Sequence, residues 1–149
     1  IVVMIEIKTY DSTFFAKDAF MSLMQKVNQC FTPPLSDSVD LGVYSEKLYN
    51  HALFVAAEDN GEIIGLTAYY RNSEANQLYI PLICVDSSSR SRGVGSMMLS
   101  RLTELSAEGF CSIALEVKKT NIPAYQFYKK HGFIEKEDRG EKLLMEKTI

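Results

Sequence analysis

The sequence predicts a mixed α/β (α+β) domain, with a mostly antiparallel sheet of six to seven strands flanked by about four helices. Three observations predict it. Apolar alternation and helical spacing follow each other in the order strand, two helices, three strands, helix, strand, helix, two strands. Asn60-Gly61 between two alternating segments is a tight hairpin signal. A nearly all-apolar run over Leu78–Val85 feeds a polar, glycine-containing loop and then a helix.

The elements follow in order. Ile1–Thr9 alternates and suits a first strand. Phe14–Phe31 places Phe15, Ala19, Leu23 and Val27 at helical spacing, and Thr32-Pro33-Pro34 ends that helix because proline cannot continue the hydrogen-bond ladder. Ser36–Asn50 reads as a weaker helix with Val39, Val43 and Leu48 on one side. Leu53–Glu58 and Glu62–Arg71 form the hairpin, and polar Asn72–Asn76 is the next turn. Leu78–Val85 has the composition of a strand covered on both faces. The loop Asp86–Gly95 leads into a helix over Ser96–Ala107, with Met98, Leu99, Leu102 and Leu105 at its spacing and Gly109 as its stop. Cys111–Lys118 is a strand. Asn121 is an N-cap, Pro123 fits a first turn, and the helix runs over Ala124–Lys130 to Gly132. Phe133–Glu137 and Leu143–Lys147 close the sheet as an antiparallel pair around Arg139-Gly140.

Composition limits the function. The 149 residues suit one domain, taken as 1–149, long enough to bury a core without staples. A net charge of −3 argues against nucleic acid as a main partner, because a basic face is the usual footprint. No apolar run reaches membrane-spanning length, and residues 1–5 are too short and lack the basic start of a signal peptide. Cys30, Cys84 and Cys111 are odd in number and lack CxxC spacing, as reduced thiols of a cytoplasmic protein would be. His51 and His131 form no metal-ligand pattern, so no metal is expected.

Arg90-Ser91-Arg92-Gly93-Val94-Gly95 carries the sharpest chemical signal. It stands between a strand and a helix, where unpaired backbone N–H groups and the positive end of the helix dipole favour an anion. Glycines let the backbone approach a phosphate, and arginines grip phosphate with paired hydrogen bonds. The loop suits a pyrophosphate. A purely structural glycine-rich turn would look similar. Ser96-Met97 after Gly95 rules out a Walker loop, which needs lysine there, and a lone GxG late in the chain is no dinucleotide fingerprint.

The segment Val85–Gly95 resembles the acyl-CoA loop of the GCN5-related N-acetyltransferases. Their pattern Gln/Arg-x-x-Gly-x-Gly/Ala is met by Arg90, Gly93 and Gly95, while Ser87 and Ser91 stand where proline and glycine are frequent. Asn121 to Phe133 resembles a second block of the family, Asn-x-x-Ala-x-x-x-Tyr-x-x-x-Gly-Phe. The resemblance implies acetyl-CoA or coenzyme A as cofactor and a splayed, V-shaped cleft in the sheet. It implies pantetheine contacts from the main chain of Ile83, Cys84 and Val85 and from Asn121, with phosphate contacts from Arg90 to Ser96. Pro81 fits this independently, since proline inside an apolar strand marks an edge or a bulge. The Cys84 side chain reads as a small buried hydrophobe in preference to a nucleophile.

By the same resemblance, Tyr128 takes the position of the thiol-protonating acid; the competing reading is a helix tyrosine at the edge of the core. Glu116, an acid in an apolar strand, is the base candidate, against pairing with an arginine or lysine. Leu115-Glu116-Val117 also resembles ribosomal-protein N-terminal acetyltransferases. Tyr79 and Glu62 are weaker candidates. Phe31–Leu35, the Ser36–Asn50 helix, Tyr69, Tyr70 and Tyr79 would line the acceptor pocket. They suit a small-molecule amine, an amino sugar or amino acid derivative. A protein N-terminus or lysine is the second choice, and a non-catalytic acyl-CoA sensor the third. A homodimer is implied only by analogy with the family.

Overall fold

The computed structural model describes residues 5–31 and 34–149. Thr32, Pro33 and the start of the first predicted strand lie outside the described residues. Seven strands form one sheet in the order β1-β2-β3-β4-β5-β7-β6. The described residues divide into two compact units, one of 5–31, 34–68 and 82–101, the other of 69–81 and 102–149.

In the first unit, β1 (Ile5–Tyr10) pairs antiparallel with β2 (Leu53–Asp59), Ile7 opposite Ala57. A 3-10 turn over Ser12–Phe14, capped by Asp11, leads to α1 (Lys17–Asn28). The buried face of α1 is Phe20, Met24, Val27 and Asn28. Ala19 is exposed, which corrects the predicted face by one residue. The helix begins three residues later than its apolar spacing implies, so Phe15 packs from the turn, edge-on to Phe54 with ring centroids 5.6 Å apart. α2 (Leu41–His51) is shorter than expected because Leu35–Asp37 forms a separate 3-10 turn and Asp40 caps the helix by accepting from Val43 N–H at 3.0 Å. Leu48 is fully buried, but Val43 is 68% exposed, so the predicted apolar side does not exist. Ser45 takes the buried position instead.

The β2–β3 hairpin (β3, Glu62–Asn72) turns at Asn60 and Gly61, both left-handed, as a two-residue hairpin loop requires. The C-terminal stretch of β4 (Gln77–Val85) and a 3-10 segment over Ser87–Arg92 lead into α3 (Val94–Ser106). Over its length β4 alternates between buried and half-buried residues, so it is not covered equally on both faces as its composition implied. The N-terminal part of α3 packs on β3: the Thr67 hydroxyl donates to Met98 Sδ at 3.5 Å in the buried interior.

In the second unit, the start of β4 runs parallel to β5 (Ser112–Lys118), Tyr79 opposite Ala114, and the pairing ends at Ile80 with Leu115, just before Pro81. β5 pairs antiparallel with β7 (Lys142–Thr148), and β7 with β6 (Ile134–Asp138), with an irregular register between Glu135 and Glu137. α4 (Ile122–Lys130) starts where predicted, with Asn121 accepting from Ala124 N–H at 3.2 Å and Pro123 in the first turn. Left-handed Gly132 releases the chain into Phe133, which is buried.

Candidate acyl-CoA site and the comparisons

Two groups of predicted site residues belong to different units, and each has its own geometry. In the first unit the strand end and loop form a continuous turn. Cys84 is buried, and Ile83 and Val85 are half-buried. Asp86 N–H donates to the Ile64 carbonyl at 2.8 Å and Ser89 N–H to the Asp86 carbonyl at 2.8 Å, so the loop start is fastened to β3. Gly93 is left-handed, with φ +74°, and a Cβ there would meet nothing within 4 Å. Met97 N–H bonds to the Gly93 carbonyl at 3.1 Å, so Gly93 heads α3. Val94 and Gly95 therefore stand in the first turn, where helix N–H groups precede the ladder. The helix starts at Val94 and not at Ser96, which brings Val94, Gly95 and Ser96 into the anion-favouring turn itself.

The loop arginines hold the protein as well as any ligand. Arg90 donates from Nε to the Val85 carbonyl at 3.3 Å and from Nη2 to the Cys30 carbonyl. It braces the strand end against the residues after α1. Arg92 Nη1 lies 3.1 Å from Asp59 Oδ2, and the other Asp59 oxygen is buried without a hydrogen-bond partner among the described residues. Ser91 belongs to the 3-10 segment by its backbone, and its side chain lies outside the described residues. The open left-handed glycine and the helix start fit a pyrophosphate held mainly by main-chain N–H groups, with the arginines at its flank.

A cavity of about 190 Å³ opens beside this turn, lined by Leu23, Lys26, Val27, Cys30, Ile64 and Cys84 among others. Cys30 and Cys84 share a thiol hydrogen bond, which with nearby positive charge lowers Cys30 to about 7 and, together with burial, raises Cys84. The Cys84 thiol is thus held protonated, in keeping with a packed hydrophobe. Glu62 is exposed and lies 3.9 Å from Lys26, which makes it a solvated ion pair and a poor base.

In the second unit, Tyr79, Glu116 and Arg139 come together. Alternation sets Glu116 on the face opposite buried Leu115 and Val117. The Tyr79 hydroxyl donates to Glu116 Oε1 at 3.1 Å, and Arg139 Nη1 lies 3.5 Å from Glu116 Oε2. Burial, and next the Glu116 charge, push the Tyr79 phenol up to about 12. The arginine pairing weighed for Glu116 from the sequence is therefore present, on a carboxylate that keeps 28% of its side chain exposed. Arg139 was legible only as a turn residue, and no sequence signal marked it as the partner.

Tyr128 is buried, edge-on to Phe127 and Phe133 with centroids 5.6 and 5.8 Å apart, and burial raises its phenol above the ordinary value. A phenol so held is protonated at neutral pH, as an acid must be before it donates. Tyr69 is buried and Tyr70 half-buried, and burial raises both phenols. Lys129 and Lys130 are exposed, with Lys129 Nζ 5.9 Å from the centre of the Tyr125 ring.

No cluster among the described residues could hold a metal ion, and no helix among them is long and apolar enough to cross a membrane.

Comparison with known proteins supplies the family. The "Putative phosphinothricin acetyltransferase" of Bacillus subtilis is 26% identical over 108 residues, covering 70% of this chain and 66% of that protein. Streptothricin acetyltransferase A of the same species is 42% identical over 53 residues, covering 35% of this chain and 31% of the relative. The chain thus spans less than two thirds of either relative's length. The PaiA N-acetyltransferase of Thermoplasma acidophilum, solved in complex with coenzyme A, superposes with a TM-score of 0.78 at 18% identity, covering 98% of this chain and 99% of that one; at that identity it shows the fold. The model of the acetyltransferase (GNAT) family matches residues 20–133, from α1 through the phosphate loop to Phe133, and the chain belongs to that family.

Proposed function

We propose that the protein is an acetyl-CoA-dependent N-acetyltransferase that acetylates the primary amine of a small molecule, an amino sugar or amino acid derivative, by direct attack. The observation that carries this reading is the turn at the head of α3. Its left-handed Gly93 opens to solvent, and the helix begins at the next residue. That arrangement suits a pyrophosphate.

The chemistry falls to the second group of residues. The acceptor ammonium gives a proton to Glu116, and the neutral nitrogen forms the C–N bond to the thioester carbon. The C–S bond breaks, the remaining excess N–H proton leaves to water, and the thiolate takes a proton from Tyr128. A phenol raised by burial is a weaker acid than usual, so Tyr128 gives up its proton only to a strongly basic, developing thiolate. Asn121 caps α4 and reaches the pantetheine arm by its remaining amide N–H groups. We take residues 1–149 as one catalytic domain, since the family match runs through both compact units. Three free cysteines support a cytoplasmic setting. Acetylation of a protein N-terminus is the second reading, favoured by Glu116 in the central strand.

Calorimetry with acetyl-CoA tests the reading. Binding should occur, weaken when the phosphates are removed, and be lost in Gly93→Glu, which adds a like charge to the phosphates at a position open to solvent. Retained binding in Gly93→Glu would remove the loop from the site, and no binding by the wild-type chain would remove the enzyme reading.

A further inference from the structure

Glu116 is the only acid of β5, and its two oxygens are held by different kinds of partner. Oε1 accepts from the Tyr79 hydroxyl at 3.1 Å, an ordinary hydrogen bond from a neighbouring strand. Oε2 faces Arg139 Nη1 at 3.5 Å, which is long beside the ~2.7–2.9 Å usual for a charge-assisted bond. The Arg139 side chain is 41% exposed, while its Nη2 lies 3.4 Å from Glu137 Oε2. Its backbone N–H bonds to the Lys142 carbonyl at 2.9 Å in the β6–β7 turn. Arg139 is thus fixed at its base, and its two terminal nitrogens meet Glu137 and Glu116 at similar, long distances.

Ser112, Ala114 and Glu116 share one face of β5, and Tyr79 stands opposite Ala114 in register. On the β7 side, Leu144 stands opposite Glu116 and Glu146 opposite Ala114, so the small β5 side chains are flanked by a leucine and a second acid. Tyr79 stays protonated well beyond neutral pH and keeps its bond to Oε1 whatever occupies Oε2.

We propose that the Arg139–Glu116 ion pair marks the place of the acceptor, and that the acceptor is a zwitterionic α-amino acid or a close analogue of one. Its ammonium takes the position of Arg139 at Glu116 Oε2, and its carboxylate takes the position of Glu116 on Arg139 Nη1. This rests on the N-acetyltransferase reading and narrows its substrate class. An amine without an anionic neighbour would displace Arg139 and leave a guanidinium beside a second cation. An α-amino acid carries both charges across one carbon and matches both halves of the pair. Glu137 keeps Arg139 from swinging away when Glu116 lets go. An amino sugar or a lysine side chain offers no carboxylate for the released nitrogen.

The test is free-thiol release from acetyl-CoA with the proteinogenic amino acids, their methyl esters and glucosamine. Free acids should be acetylated about 10- to 100-fold more efficiently than their esters, the range set by one lost charged hydrogen bond. Arg139→Gln should raise KM for the free acid, lower it for the ester because no guanidinium then competes for Glu116, and leave acetyl-CoA affinity by calorimetry unchanged. Esters or glucosamine used as well as free acids would overturn the proposal, and so would an Arg139→Gln effect equal on acid and ester. Tight acetyl-CoA binding with no free amino acid acetylated would overturn the amino-acid class and leave the acetyltransferase reading standing. Absent acetyl-CoA binding would overturn the reading beneath it.

Discussion

Gly65→Ala probes how the sheet positions the phosphate-binding turn. Gly65 lies within β3, and a Cβ built there would stand 2.8 Å from Val94 Cγ1, 3.0 Å from Met98 Cε and 3.3 Å from Met98 Sδ. Carbon atoms pack comfortably at about 3.5–4.0 Å, so the new methyl is short of room by roughly 0.7–1.2 Å on the Val94 side. Met98 can yield, because its side chain is long and unbranched. Val94 is β-branched, fully buried and the first residue of α3, so relief comes mostly from moving the helix start. Overpacking of this kind costs about 1–3 kcal/mol. Alanine recovers about 0.5–1 kcal/mol in a strand relative to glycine. With both terms taken at mid-range, the net expectation is about 1 kcal/mol of destabilisation, or roughly 2–4 °C in Tm for a chain of this size. The same displacement moves the N–H groups that would face the pyrophosphate, and acetyl-CoA affinity should fall about three- to tenfold, a fraction of one charged hydrogen bond. Thermal unfolding and calorimetry measure the two effects, and Gly65→Ala with Val94→Ala should restore part of the affinity because the methyl then has space. Wild-type stability and affinity in Gly65→Ala would refute the reasoning. So would a lost affinity that Val94→Ala leaves untouched.

Tyr128→Phe should lower turnover while acetyl-CoA affinity stays within about twofold, since one hydroxyl is removed and the ring packing on Phe127 and Phe133 is kept; equal turnover by free-thiol release would take Tyr128 out of the mechanism. Asn121→Ala should cost about 0.5–2 kcal/mol in denaturant unfolding through loss of the bond from Ala124 N–H, and Asn121→Asp should recover most of it. Tyr10 and Tyr79 are both raised to about 12, Tyr79 by burial first and Tyr10 by burial and its bond to Glu58. Folding therefore keeps these phenols protonated after unfolded tyrosines ionise, so the stability they contribute is whole below about pH 10 and is lost as pH rises towards 12. Absorbance titration of phenolate should show one late-ionising tyrosine fewer in Tyr79→Phe, and an unchanged count would contradict the burial argument.

Local chemistry was legible wherever a residue carries its own conformational demand. Asn60-Gly61 forms the turn its sequence requires, and Asn121 and Pro123 start α4 where a capping side chain and a fixed φ place them. Register was less legible. In α1 the spacing of Phe15, Ala19, Leu23 and Val27 fits a helix, but Phe15 lies before it. The real face, Phe20 to Val27, is set by which aromatic rings reach Phe20 and Phe54, a tertiary choice that periodicity alone does not contain. In α2 the error has the same origin: Val43 is apolar and exposed, while Ser45 is polar and buried.

The candidate site divides along the same line. The phosphate turn was readable because glycine conformation and helix starts are local properties. The ties from Arg90 to Cys30 and from Arg92 to Asp59 were not, because they join segments 60 and 33 residues apart. Those ties change what the arginines can do. A pyrophosphate drawing on either guanidinium must compete with a carbonyl or a carboxylate already in place, so the net gain per arginine is smaller than for a free side chain. The N–H groups of Val94 and Gly95 stand in the first turn of α3, ahead of its i→i−4 ladder. Affinity for the phosphates should accordingly depend more on the backbone geometry at Gly93 and Val94 than on the charge of the loop, which is why a methyl on Gly65, remote in sequence from every phosphate contact, is the sharper probe.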